Sequence, residues 1–185
     1  MRRKNALSAI MAFACLVVTD AEAQFALWKH HGAAGTSLYG LRVRAAGDLN
    51  GDGSPDCIAV EPLLFGSSNP VVNAYSGKDG TTIHALSFPQ GPNGLGLAIG
   101  AGADYTGDGV PDILLGSPGA NAPPASGLPS YPFGGVYIYS GKTGQFARAR
   151  LGNGVIGFGT QIWCMPDVNS DGIADYAVLV GGPAA

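Results

Sequence analysis

Charge is scarce in this 185-residue chain, where Asp, Glu, Lys and Arg together make up 12% of the residues. Ten Lys and Arg against thirteen Asp and Glu leave a formal net charge of −3. With no basic excess to engage a phosphate backbone, nucleic acid is excluded as a partner. Three cysteines are too few for a disulfide scaffold. Three histidines, none clustered with cysteine, supply no zinc-type ligand set. No apolar run reaches the roughly 20 residues that span a bilayer as a helix. A Gly-x-Ser-x-Gly turn, the mark of one large hydrolase class, is also missing.

Glycine and proline, by contrast, are plentiful, at 30 and 13 residues. They follow no triplet period, so a collagen rod is excluded, and they would break any long helix. Hydrophobic residues still reach 46%, enough to bury a core. An all-β, turn-rich domain is the expectation.

The first residues have the layout of a secretory leader. Arg2, Arg3 and Lys4 precede an apolar stretch over residues 6–18, and Ala21-Glu22-Ala23 follows as a small-residue cleavage signal. Residues 1–23 are therefore expected to be removed, leaving a mature chain over 24–185 that is secreted, cell-surface or periplasmic. Two cysteines remain, Cys57 and Cys164, expected as separate buried thiols without a disulfide between them.

A nine-residue pattern occurs three times. It runs Asp48-Leu49-Asn50-Gly51-Asp52-Gly53-Ser54-Pro55-Asp56, then Asp104-Tyr105-Thr106-Gly107-Asp108-Gly109-Val110-Pro111-Asp112, then Asp167-Val168-Asn169-Ser170-Asp171-Gly172-Ile173-Ala174-Asp175. The copies start 56 and 63 residues apart. A glycine (Gly40, Gly96, Gly159) stands eight residues before each, and Tyr-Ser-Gly-Lys-x-Gly occurs at residues 75–80 and 139–144. Several markers in phase indicate a repeated supersecondary unit. The units are placed at about 32–88, 89–151 and 152–185.

Acids are concentrated in these loops. Asp20 and Glu22 belong to the leader, and nine of the eleven acids that remain are loop aspartates. Three carboxylates within nine residues repel one another unless a cation neutralises them. Oxygen donors alone suit a hard ion such as calcium. Side chains at loop positions 1, 3, 5 and 9, with the carbonyl at position 7, can converge on an ion. In the first loop these are Asp48, Asn50, Asp52 and Asp56 with the Ser54 carbonyl. In the second they are Asp104, Thr106, Asp108 and Asp112 with the Val110 carbonyl, and in the third Asp167, Asn169, Asp171 and Asp175 with that of Ile173. Thr106 is a poorer donor than asparagine, so the second site is expected to be the weakest. An EF-hand would need an acid at position 12, where Ala59, Leu115 and Val178 stand instead.

Period-two alternation and turn signals divide each unit into four short strands. One leads into the acidic loop (residues 95–103 in the second unit), and one leaves it (57–60, 113–115, 176–180). A third (71–75, 136–139) and a fourth (81–86, 146–151) flank the Ser-Gly-Lys-x-Gly turn. Residues 25–31 resemble a fourth strand preceding the first unit. Four antiparallel strands repeated at this period suggest a β-propeller blade.

The segments Leu38-Tyr39-Gly40 and Gly157-Phe158-Gly159, the acidic loops, and the endings Ile113-Leu114-Leu115-Gly116-Ser117-Pro118 and Val178-Leu179-Val180-Gly181-Gly182-Pro183 resemble the FG-GAP repeat. That repeat builds the propeller head of integrin α chains and occurs in many bacterial secreted proteins. The resemblance implies that the loop residues named above bind calcium. The first unit departs from the pattern, with Val60-Glu61-Pro62 in place of the small-residue ending.

The mature chain holds about 2.7 units, fewer than the roughly 4–8 blades of a closed ring. The expected fold is a partial β-propeller, truncated or closed by association of several chains. Strand parity puts the acidic loops on one face and the second connections, 61–70 and 117–133, on the other. Calcium is thereby expected to be structural, and Tyr131 and Phe133 to contact an extracellular protein or glycan. Catalysis finds no support. His30, His31 and His84 are expected at surface or edge positions, and outside the loops only Glu61 and Asp79 remain as acids. A binding or adhesion module is the function expected; the alternative is a non-catalytic appendage of a larger secreted enzyme.

Overall fold

The computed structural model describes residues 28, 30, 42–61, 71–86, 98–119, 134–152 and 157–180. Ten strands account for most of them: β1 Arg42–Gly47, β2 Asp56–Glu61, β3 Val71–Tyr75, β4 Thr82–Leu86, β5 Ala98–Ala103, β6 Asp112–Ser117, β7 Gly135–Tyr139, β8 Phe146–Leu151, β9 Phe158–Met165 and β10 Asp175–Val180. They form antiparallel sheets β1-β2-β3-β4, β5-β6-β7-β8 and β9-β10, with each strand beside its neighbour in sequence. No helix occurs among the described residues. The fold is a partial β-propeller.

The chain meanders because every reversal carries its own turn chemistry. Acidic nine-residue loops join the first strand of each sheet to the second, and Ser-Gly-Lys-x-Gly turns join third to fourth. In both such turns the backbone closes on itself. Ser76 N donates to Thr81 O and Gly80 N to Ser76 O, and Ser140 and Gly144 repeat the pair. Just before each of the first two acidic loops the register slips by one residue, between Ala45 and Gly47 and between Ala101 and Ala103. Such a bulge sharpens the local twist.

Alternation along the strands produces two inter-sheet cores. Ile58, Val60 and Val72 from the first sheet meet Ile113, Leu115 and Tyr139 from the second. The opposite face of the second sheet, with Leu114, Val136 and Ile138, takes Ile162, Tyr176 and Val178 from the third. Sandwiched on both faces, β6 and β7 are buried along their whole lengths. Complete burial of one such aliphatic side chain contributes about 1.5–3 kcal/mol. First strands pack beside one another, β1 on β5 and β5 on β9, the arrangement of inner strands about a propeller axis. Gly159, on β9, sits where the third sheet meets β6 and β7, its backbone against Gly116 and Gly135.

One expectation needs correction. Cys57 and Cys164 are free thiols on β2 and β9, but only Cys57 is partly buried, whereas Cys164 is exposed. Cys164 pairs with Tyr176 on the face of the third sheet that meets the second, its Sγ toward Gly100, whereas Trp163 and Leu179 are exposed on the outer face, which has no cover among the described residues. His84, expected at a surface or edge position, lies on the edge strand β4 and is half-buried there, with its Nε2 2.7 Å from the Gly141 carbonyl of the next unit. Of residues 25–31, only Trp28 and His30 are described; residues 61–70 fall outside apart from the Glu61 backbone, and 120–133, with Tyr131 and Phe133, lie outside as well.

Candidate functional site

The three acidic loops share one internal wiring. The first aspartate gathers amides of the turn it begins. Asp48 accepts from Gly51, Asp52 and Gly53, Asp104 from Thr106, Gly107 and Gly109, and Asp167 from Asp171 and Gly172. The fifth-position aspartate accepts from the seventh-position amide, at 2.9 Å for Asp52, 3.0 Å for Asp108 and 2.9 Å for Asp171. The ninth accepts from the second-position amide, at 2.7, 2.7 and 2.8 Å for Asp56, Asp112 and Asp175. Wrapping the backbone this tightly needs a left-handed residue at position 6, and Gly53, Gly109 and Gly172 have φ of 84°, 81° and 86°.

These amides set the electrostatics. Burial pushes the Asp104 carboxyl up, but the amides of Gly109, Gly107 and Thr106 outweigh it and hold the group below the ordinary range. Asp167 is held low chiefly by the Gly172 amide, and Asp52 chiefly by that of Ser54. Asp112 moves the other way. Burial raises it, and the amides of Gly141 and Tyr105 only partly offset the cost. Its carboxylate is a buried negative charge that a nearby cation would stabilise.

In the second loop one carboxylate oxygen from each of Asp104, Asp108 and Asp112 lies within 4.8 Å of the others. The Thr106 hydroxyl, from the same loop, is buried without a hydrogen-bond partner. Three anionic oxygens and an unused hydroxyl are a donor set for a hard, oxygen-seeking cation, so the residues fit calcium. In the first and third loops the asparagines are engaged within the loop, Asn50 with Asp52 at 3.0 Å and Asn169 with Asp175 at 3.4 Å. Such geometry gathers the carboxylates of the second loop within reach of one ion.

The loops are also neighbours. Pro111, eighth in the second loop, packs against Gly47, which precedes the first loop. Ala174, eighth in the third, donates its amide to the Asp104 carbonyl at 3.0 Å. All three therefore line one face. The Ser-Gly-Lys turns join them there, since Gly77 N and Gly141 N donate to Asp56 and Asp112 at 3.0 and 2.9 Å. Strand parity already puts these turns, as third connections, on the face of the acidic loops; what the pattern did not give is their direct contact with the position-nine acids. The signal for that contact was the shared period with the acidic loops.

Two family models match the chain, an FG-GAP-like repeat over residues 48–115 and an FG-GAP repeat over residues 95–139. Among curated proteins it is similar to integrin alpha-2 from Bos taurus, 34% identical over 107 residues, and to integrin alpha-E from Mus musculus, 30% identical over 115 residues. These stretches cover 49% and 54% of this chain but only 8% and 10% of the two relatives.

Proposed function

This chain is an FG-GAP repeat protein, and from that premise we propose that it is a secreted calcium-binding module for adhesion or recognition, with calcium in a structural role. The observation that carries the metal assignment is the convergence of Asp104, Asp108 and Asp112 within 4.8 Å. Asp48, Asn50, Asp52 and Asp56 with the Ser54 carbonyl would hold an ion in the first loop. In the second, Asp104, Thr106, Asp108 and Asp112 would do so with the Val110 carbonyl, and in the third Asp167, Asn169, Asp171 and Asp175 with that of Ile173. When bound, the ion supplies positive charge that offsets carboxylate repulsion.

The chain's own residues do the rest. Position-one and position-five aspartates order each loop through its amides, and position-nine aspartates tie it to the strand that follows. Residues 1–23 act as the export leader and 24–185 as the propeller region. The second connection over 117–133, with Tyr131 and Phe133, carries recognition of an extracellular protein or glycan. No catalytic step is assigned, because the acids of the described loops are committed to loop order.

Equilibrium dialysis of the folded chain tests the metal assignment. Calcium should be retained with an extracellular-type affinity on the order of 10⁻⁴–10⁻³ M, and Asp108→Ala should lose the second-loop component. Retention of no calcium by wild-type protein would sink the assignment. Replacing residues 117–133 with a short Gly-Ser turn should abolish capture on a panel of immobilised matrix proteins and glycans while leaving calcium retention intact.

A further inference from the structure

Two hydroxyls stand beside the first two acidic loops without belonging to them. Ser76, after β3, has its Oγ 3.4 Å from Asp52 Oδ2, and Ser140, after β7, has its Oγ 3.2 Å from Asp108 Oδ2. The next residue in each turn, Gly77 or Gly141, donates its amide to the position-nine aspartate. Two consecutive residues of the third connection thus hold two acids of the first. Among the described residues no such turn flanks Asp171 in the third loop.

The same turns are clamped from the other side by aromatic rings. His84, on β4 of the first sheet, places its Nε2 2.7 Å from Gly141 O and its ring over Gly144. Trp28 occupies the matching position on the first turn. Its Nε1 donates to Gly77 O at 3.2 Å, and its ring lies over Gly80. Acidic loop, Ser-Gly-Lys turn and clamping ring form one continuous set of contacts, repeated in the first and second units.

We infer that Ser76 and Ser140 are positioning residues for the ion loops, and that their turns transmit the state of each loop to the ring clamped upon it. This rests on the loops being calcium sites. A carboxylate at an exposed loop position samples several rotamers. The position-five aspartate has Oδ1 fixed by a loop amide, and the serine hydroxyl restrains Oδ2, so less freedom is lost when an ion arrives. The third loop, without such a turn among the described residues, is the internal control.

Calcium titration calorimetry on the full chain tests this. Ser76→Ala and Ser140→Ala should each weaken their own loop by about three- to tenfold, while Ser140→Thr, which keeps the hydroxyl, restores affinity. Trp28 reports the transmission. In a Trp163→Phe background, its emission should change on calcium addition, and Ser76→Ala should remove that change while Ser140→Ala keeps it. Wild-type protein that binds no calcium would overturn the calcium assignment itself. Wild-type binding with both alanine variants within about twofold would overturn the serine role alone, and a Trp28 response unaffected by Ser76→Ala would overturn the transmission. Should the alanine variants not fold, wild-type amide exchange decides. Gly77 and Gly141 should exchange more slowly with calcium, and equal rates overturn the inference.

Discussion

At the residue scale, one amino-acid type performs three different tasks in each loop. The first aspartate orders the turn, the fifth faces the cluster, and the ninth fastens loop to strand. Their titration separates them. Asp52, Asp104 and Asp167 have folded values below the ordinary 3.8, so their stabilisation is fully present above that value and is lost as pH falls through the lower folded one. Asp112, raised by burial, has the opposite sign, favouring the fold below 3.8 and losing that contribution as pH rises through its folded value. With chelator present, the melting temperature should therefore drop as pH is lowered below 3.8, three lowered groups outweighing one raised group. A melting temperature that climbs steadily over that range would contradict the assignment. The identity of these aspartates was legible from spacing. The burial of Asp112, at 0% exposure against an exposed Asp108, was not, because it depends on the turn after β7 covering it.

At the element scale, the hairpin of the third and fourth strands is fitted to the acidic loop with no room to spare. A Cβ on Gly141 would overlap the Pro111 carbonyl, and one on Gly77 would overlap that of Pro55. Gly141→Ala should therefore destabilise the protein by about 1–3 kcal/mol, measured by denaturant unfolding. Gly107→Ala meets no atom within 4 Å and is disfavoured only through its φ of 81°, so it should cost less. Strand positions followed from alternation and turn residues, and β3 and β8 begin and end where the pattern put them. The role of His84 was hidden, since strand alternation does not say which turn of the next unit an outer strand will meet. Its packing on Gly144 belongs to the stacking of sheets.

At the scale of the molecule, units are joined face to face by apolar side chains and edge to edge by their acidic loops. Carboxylate repulsion within the loops opposes that stacking, and neutralisation by calcium should favour it. At calcium about tenfold above the dissociation constant, each occupied loop contributes about 1.4 kcal/mol. Chelation should accordingly lower the melting temperature by several degrees, seen by differential scanning fluorimetry with and without excess chelator. An unchanged melting curve would show that the loops stand without the ion. The outer face of the third sheet, where Trp163 is half exposed, should contribute least to cooperative unfolding, because only its inner face is covered among the described residues.

Spacing alone fixed the repeat, the all-β class and the aspartates, because a turn needs particular residues at particular offsets and alternation needs only near neighbours. Contact between first and third connections and the burial of Asp112 beneath the turn after β7 were decided by strand pairing within each sheet, and the clamps of Trp28 and His84 by the packing of distant segments onto those turns. Those relations join residues 21 to 57 positions apart, and no local pattern encodes which distant backbone group will reach a given side chain.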